Sequence, residues 1–152
     1  MSRRGEISMT DDEVRDFLAG HQVVQVATIQ ADGTPHLVTM WYGLLDGDVA
    51  FWSYGRAQKV VNLRRDPRFT VLVEDGKTYD SLRGVSITGR AEILDDPDEV
   101  LAFGLQLHGR HQAPGTEPSP EVRARVAKQA AKRVVIVMKP ERVVSWDHAK
   151  LQ

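Results

Sequence analysis

The chain has 152 residues, no cysteine, and 20 basic against 21 acidic side chains, for a formal net charge of −1. That length suits one domain over residues 1–152 with a core of its own, and the near-neutral balance argues against a dedicated nucleic-acid binder, which carries a broadly basic face. The missing cysteines exclude disulfides, thiol catalysis and thiolate metal sites, the basic N-terminus lacks the apolar run of a signal peptide, and no apolar stretch approaches the roughly 20 residues that span a bilayer, so a cytoplasmic location and no membrane contact are expected.

Thr10-Asp11-Asp12-Glu13 reads as a capping box. Val14, Phe17 and Leu18 follow at helical spacing, and Gly20 is a stop signal. Residues 22–29, QVVQVATI, are β-branched and read as a strand. Ala31-Asp32-Gly33-Thr34 is a hairpin turn, and Pro35 to Leu45 is its partner strand, with Leu37, Thr39 and Trp41 alternating against Val38, Met40 and Tyr42. After Asp46-Gly47-Asp48, Val49 to Tyr54 forms a third strand.

The next segment changes period. Ala57, Val60, Val61 and Leu63 recur at helical spacing, and Asp66-Pro67 ends the helix. Phe69 to Glu74 and Arg83 to Leu94 are further strands, with Gly84 and Gly89 as expected bends or bulges. A helix opens at Asp95-Asp96-Pro97 and runs to about His111. A proline-rich loop follows, then a helix over 121–132 and two final strands, Arg133 to Met138 and Val143 to Trp146. Six to seven antiparallel strands with three to four short helices make a mainly β fold, and short hairpin-linked strands favour a barrel that hides its edges. There is no GxGxxG, GxSxG or P-loop, so doubly wound dinucleotide, hydrolase and NTPase readings lack support.

The inserted helix carries Arg56 and Lys59 near its start, with Ser53 just upstream. Free amides, the positive dipole end, a hydroxyl and two cations form a phosphate cradle in principle. Arg64, Arg65 and Arg68 sit at the far end, where they oppose the negative pole and require no ligand. His108 and His111 are three apart, but no third ligand stands at metal-site spacing, so a helix-end pair and no metal are expected. His36 reads as a polar strand residue first, and as one able to reach a bound ring or substrate second. No acid–base pair stands out as catalytic.

In order and spacing the chain resembles the pyridoxamine 5′-phosphate oxidase-like flavin and deazaflavin oxidoreductases. The resemblance rests on Val26-Ala27-Thr28-Ile29, Asp32-Gly33-Thr34-Pro35-His36, Phe51-Trp52-Ser53, Lys59, Asn62-Leu63-Arg64-Arg65-Asp66-Pro67, Gly89-Arg90-Ala91-Glu92 and Val144-Ser145-Trp146-Asp147. It implies a split β-barrel of the FMN-binding type and a homodimer with shared cofactor sites. The family's phosphate-binding hydroxyl and lysine fall on Ser53 and Lys59. Its arginine position falls on Gln58, and Arg56 is a neighbouring source of the missing charge. The ring-edge strand falls on Val38, Thr39, Met40 and Trp41; Trp41 stands where FMN oxidases of the family carry a basic residue. Trp146 is implied to approach the site from the partner chain, and Asp147 and His148 to touch that chain. The NLRRDP helix and SWD tail are similar to the actinobacterial branch that uses coenzyme F420, which implies a reductase moving hydride from the reduced deazaflavin to a small conjugated acceptor. Arg64, Arg65 and Arg83 are then candidates to attract the acidic polyglutamate tail. An FMN-binding oxidoreductase, and a non-catalytic carrier of the deazaflavin or of a tetrapyrrole, are the alternatives.

Overall fold

The structure, a computed structural model, describes residues 3–152. Its strands are β1 (Val23–Ile29), β2 (Pro35–Trp41), β3 (Gly43–Leu45), β4 (Asp48–Tyr54), β5 (Arg68–Asp75), β6 (Arg83–Leu94) and β7 (Arg133–Asp147). They form one seven-stranded sheet in the order β2-β1-β5-β6-β7-β4-β3, with every pair antiparallel. The helices are α1 (Arg3–Glu6), α2 (Asp11–Ala19), α3 (Gln58–Arg65), α4 (Pro97–Gly109) and α5 (Pro120–Ala130). This is the expected split barrel.

The sheet curls around one apolar interior. Val24 and Val26 of β1, Val71 and Val73 of β5, Val85 and Ile87 of β6, and Ile136 and Met138 of β7 all point inward. Phe17 and Leu18 of α2 and Val60 and Leu63 of α3 close the ends. The capping box forms as expected: Glu13 N–H donates to Thr10 Oγ1, and Thr10 N–H donates to the Glu13 carboxylate at 2.7 Å. The outer faces of β4 and β7 are covered too, since Ala50, Val135 and Val137 pack against Val100 and Phe103 of α4 and Ala130 of α5. Burial on both faces is why Val134 to Met138 is an unbroken apolar run.

Three expectations are corrected. The strand expected over Pro35 to Leu45 divides at Tyr42. That ring is buried, its N–H donates to Gln22 O, and its hydroxyl donates to Leu18 O at 2.6 Å. Arg110 stacks on Tyr42, with its guanidinium carbon 4.6 Å from the ring centroid, and also donates to the Leu18 carbonyl. One side chain thus ties the end of α4 to the β2–β3 bend and to α2. The two final strands are a single 15-residue strand. Pro140 lies in its middle, opposite Gly89, where the β6–β7 register shifts and Glu141 is the extra residue. Gly89 is therefore the bulge seat: a Cβ there would run into the Lys139 carbonyl. Gly84 is no bend but a platform, because a Cβ there would come within 2.5 Å of the Trp146 ring. The short helix α1 was not anticipated.

Candidate active site

The segment between β4 and α3 is built by a turn. Gly55 N–H donates to Lys132 O and Ala57 N–H to Tyr54 O, which brings the chain off the sheet and into α3. Ala57 is the N-cap residue and has no side-chain acceptor. The amides of Gln58 and Lys59 therefore point from the positive end of the helix with no side chain of this molecule capping them.

Two cations meet beside that end. Burial, and secondly the positive charge of Arg133, hold the Lys59 ammonium below its usual pKa. Arg133 starts β7 directly opposite Tyr54. Its guanidinium carbon lies 4.4 Å from the Tyr54 ring centroid and 4.8 Å from that of Trp52. Its Nε is buried without a hydrogen-bond partner. Among the described residues, neither Lys59, Arg133 nor Arg56 is ion-paired with a carboxylate. Two adjacent, partly desolvated cations with no counter-ion raise each other's energy, and a bound anion relieves both. Arg133 is the residue that sequence reasoning missed. Nothing local marks it, because only the β4–β7 pairing sets it beside the start of α3.

The other expected site residues are distributed as follows. Arg56 is exposed in the turn. Ser53 is only 3% exposed and shares the barrel-facing side of β4 with Phe51, while Trp52 and Tyr54 face the opposite side with Arg133. Gln58 does not point at the corner. Its Nε2 donates to Asn62 Oδ1 at 2.8 Å, and Asn62 Nδ2 donates to Thr28 Oγ1 at 3.0 Å. This chain of bonds pins α3 to β1. In register opposite Thr28 stands His36, whose Nδ1 is buried and unpartnered.

Strand β2 is an edge strand paired only with β1, so its other side offers free backbone donors and acceptors. Val38 and Met40 pack inward. Thr39 and Trp41 face outward, with Thr39 donating to Gln25 Oε1 at 2.6 Å and Trp41 61% exposed. Trp146 lies over Gly84 near the far end of β7. Thirteen residues separate it from Arg133, about 40 Å along the strand path, so within one chain it is remote from the α3 corner. Asp147 caps the following turn by accepting from Ala149 N–H, and His148 packs edge-on against Tyr79 at 4.7 Å, so both have partners within their own chain. Arg65 donates to the Ile29 carbonyl. Arg68 pairs with Asp66 at 2.7 Å and Arg83 with Asp75 at 2.9 Å.

The profile of the pyridoxamine 5′-phosphate oxidase family matches residues 10–147. The chain belongs to that family. Among curated proteins, an F420H(2)-dependent biliverdin reductase of Mycobacterium tuberculosis (strain CDC 1551 / Oshkosh) is 27% identical over 135 residues, 88% of this chain and 85% of that protein. Among solved structures, the conserved hypothetical protein Rv2991 from Mycobacterium tuberculosis is 40% identical with a TM-score of 0.90, covering 99% of this chain and 92% of that one. An F420 reductase is 30% identical with a TM-score of 0.63, over 85% of this chain and 94% of its own. An oxidoreductase-type barrel is thus shown by family and by fold together. No helix among the described residues is long and apolar enough to cross a membrane.

Proposed function

We propose that this member of the pyridoxamine 5′-phosphate oxidase family is an oxidoreductase that seats the phosphate of a tricyclic flavin-class cofactor at the start of α3. The observation that carries the reading is the Lys59–Arg133 pair beside an uncapped helix start, two cations without a counter-ion. When bound, such a ring supplies the redox chemistry, and the protein supplies position and electrostatics. Lys59 and Arg133 would hold the phosphate, with the amides of Gln58 and Lys59 completing the cradle and Arg56 flanking it. The free edge of β2, over Val38, Thr39, Met40 and Trp41, offers backbone groups to orient a planar ring.

FMN follows from the family as a whole. Coenzyme F420 is the second reading, and the F420-named relatives favour it. So does Gln58: it stands where the family's FMN enzymes carry arginine and is engaged with Asn62. On that reading the protein is a reductase acting on a small conjugated acceptor.

A second copy of the chain is part of the proposal. The outward row Thr39–Gln25–Leu72–Ser86–Val144 crosses five strands. Leu37, 67% exposed, lies beside it on β2, and the Trp146 groove lies beside it on β7. Pairing across that face gives Trp146 a route to the partner's site.

The test is a parallel titration of purified protein with FMN and with coenzyme F420, followed by cofactor fluorescence, together with the sedimentation state. Saturable micromolar binding of one of them, weakened by Lys59→Ala, is expected. If neither binds, or if Lys59→Ala binds as well as the wild type, the proposal falls.

A further inference from the structure

A cleft of about 480 Å³ opens where α4 and α5 meet the end of β2, with Trp41, Trp52, Leu107, His108, His111 and Arg125 among its lining residues. Two indoles and a leucine give it apolar walls. Two imidazoles from α4 and its flank and a guanidinium from α5 give it nitrogen groups, with His108 Nε2 facing the Gln112 side-chain amide at 3.5 Å. No aspartate or glutamate lines it, although the cleft on the other side of α4 is lined by Asp46, Glu92 and Glu99. The lack of acids is thus local to this cleft. Arg125 forms no ion pair among the described residues, whereas its neighbour Arg123 faces Glu117 at 3.8 Å. The Trp41 ring stands edge-on to His111, 6.5 Å between centroids, and is mostly exposed.

The floor of the cleft depends on Gly104. A Cβ at that position would collide with the Trp52 ring, so the glycine lets the indole approach α4 closely. Glycine inside a helix is unfavourable relative to alanine, and here the close approach of Trp52 accompanies it. Arg133 also lies over the Trp52 ring, its guanidinium carbon 4.8 Å from the centroid.

We infer that this cleft binds a planar, conjugated organic carboxylate, with its rings against Trp41 and Trp52 and its acid group on Arg125, assisted by His108 and His111. Flat apolar walls select flat ligands. A guanidinium without a carboxylate partner, next to imidazole donors, selects an acid over its neutral analogue. As a binding site the inference stands on the cleft alone. As the seat of the hydride acceptor it rests on the cofactor reading above, because Trp41 ends the strand which that reading lays along the ring.

The experiment is calorimetric titration of cofactor-free protein with naphthoate and with the isosteric neutral naphthamide. Naphthoate is expected to bind saturably and about tenfold or more tighter than the amide, the scale of a charge-assisted hydrogen bond. Arg125→Gln should remove that advantage and leave amide binding unchanged. Lys59→Ala should leave both unchanged. No saturable naphthoate binding, equal binding of acid and amide, or indifference to Arg125→Gln would each overturn the inference. So would a loss in Lys59→Ala that matches Arg125→Gln, since that places the acid at α3. Naphthoate binding in a protein that takes up neither FMN nor F420 would sink the cofactor reading and leave this site standing.

Discussion

Replacing Asn62 with alanine tests how α3 is held in place. Asn62 is fully buried, and its amide bridges Gln58 at 2.8 Å and Thr28 at 3.0 Å. Thr28 is itself 1% exposed, so the truncation strands its hydroxyl away from water. Losing two hydrogen bonds, at about 1 kcal/mol each, and leaving one buried hydroxyl unpaired gives a cost of about 2–4 kcal/mol. That is a large share of the roughly 5–15 kcal/mol typical of a domain. Thr28→Val removes the hydroxyl and leaves the Asn62 N–H as the orphan, so it too should cost about 1–3 kcal/mol. The double variant removes both partners and should cost clearly less than the sum, with a coupling of about 0.5–2 kcal/mol. Urea unfolding of the four proteins, at constant slope, reads these differences. Additive losses, or an Asn62→Ala cost below about 0.5 kcal/mol, would refute the claim that this buried chain of bonds anchors α3 to β1.

Other consequences follow from the same geometry. Lys59→Ala and Arg133→Ala should each weaken binding of the phosphorylated cofactor by about 1.5–3 kcal/mol; titration checks this, and an effect from Lys59 but not Arg133 would remove the arginine from the cradle. Because burial and Arg133 lower the Lys59 pKa, the unfolded chain binds more protons than the folded one between the folded and unfolded pKa values. Stability therefore gains from Lys59 as pH rises through that window. A bound phosphate reverses the shift, so cofactor affinity should fall as the solution is taken from neutral to strongly alkaline pH, and less so in Lys59→Ala. Asp75 has the same slope in the acid range. Arg83 first, then His21 and the Gly76 N–H, lower its pKa from 3.8 to about 2. Its contribution is present above 3.8 and disappears as pH falls towards 2. With its side chain 46% exposed, solvent screening keeps it below about 1 kcal/mol, and Asp75→Asn should flatten the acid limb of a stability–pH curve by that amount. Gly89→Ala forces a methyl against the Lys139 carbonyl at the bulge and should cost about 1–3 kcal/mol or more, measured by thermal melting.

Much of the fold was legible because it rests on local rules. Thr10 to Glu13 is a complete capping box, Asp32-Gly33 turns the first hairpin, and the switch from period two to helical spacing at Ala57 marks α3, although Arg56, expected within that helix, lies in the turn before it. The misjudged places are those where a distant neighbour overrides local pattern. Tyr42 continues the alternation of its strand, yet its burial against Leu18 and Arg110 breaks that strand in two. Pro140 reads as a strand breaker, yet a bulge opposite Gly89 accommodates it and β7 runs on. In the site, Lys59 and the uncapped start of α3 were visible in one stretch of sequence. The bond from Gln58 to Asn62 could not be read there, because it depends on how the helix side chains turn.

Alone, the order of residues determined most of the helices and hairpins, since each depends on contacts within a helical turn or between neighbouring strands, and its motifs carried the likeness to the family. Tertiary structure alone decided that Arg133, some 74 positions after Lys59 by their numbering, stands beside it, and that Trp41, Trp52 and Arg125 share one cleft. Charges and rings interact over a few ångströms of space, and the pairing of β4 with β7 and the packing of α4 on α5 set that distance.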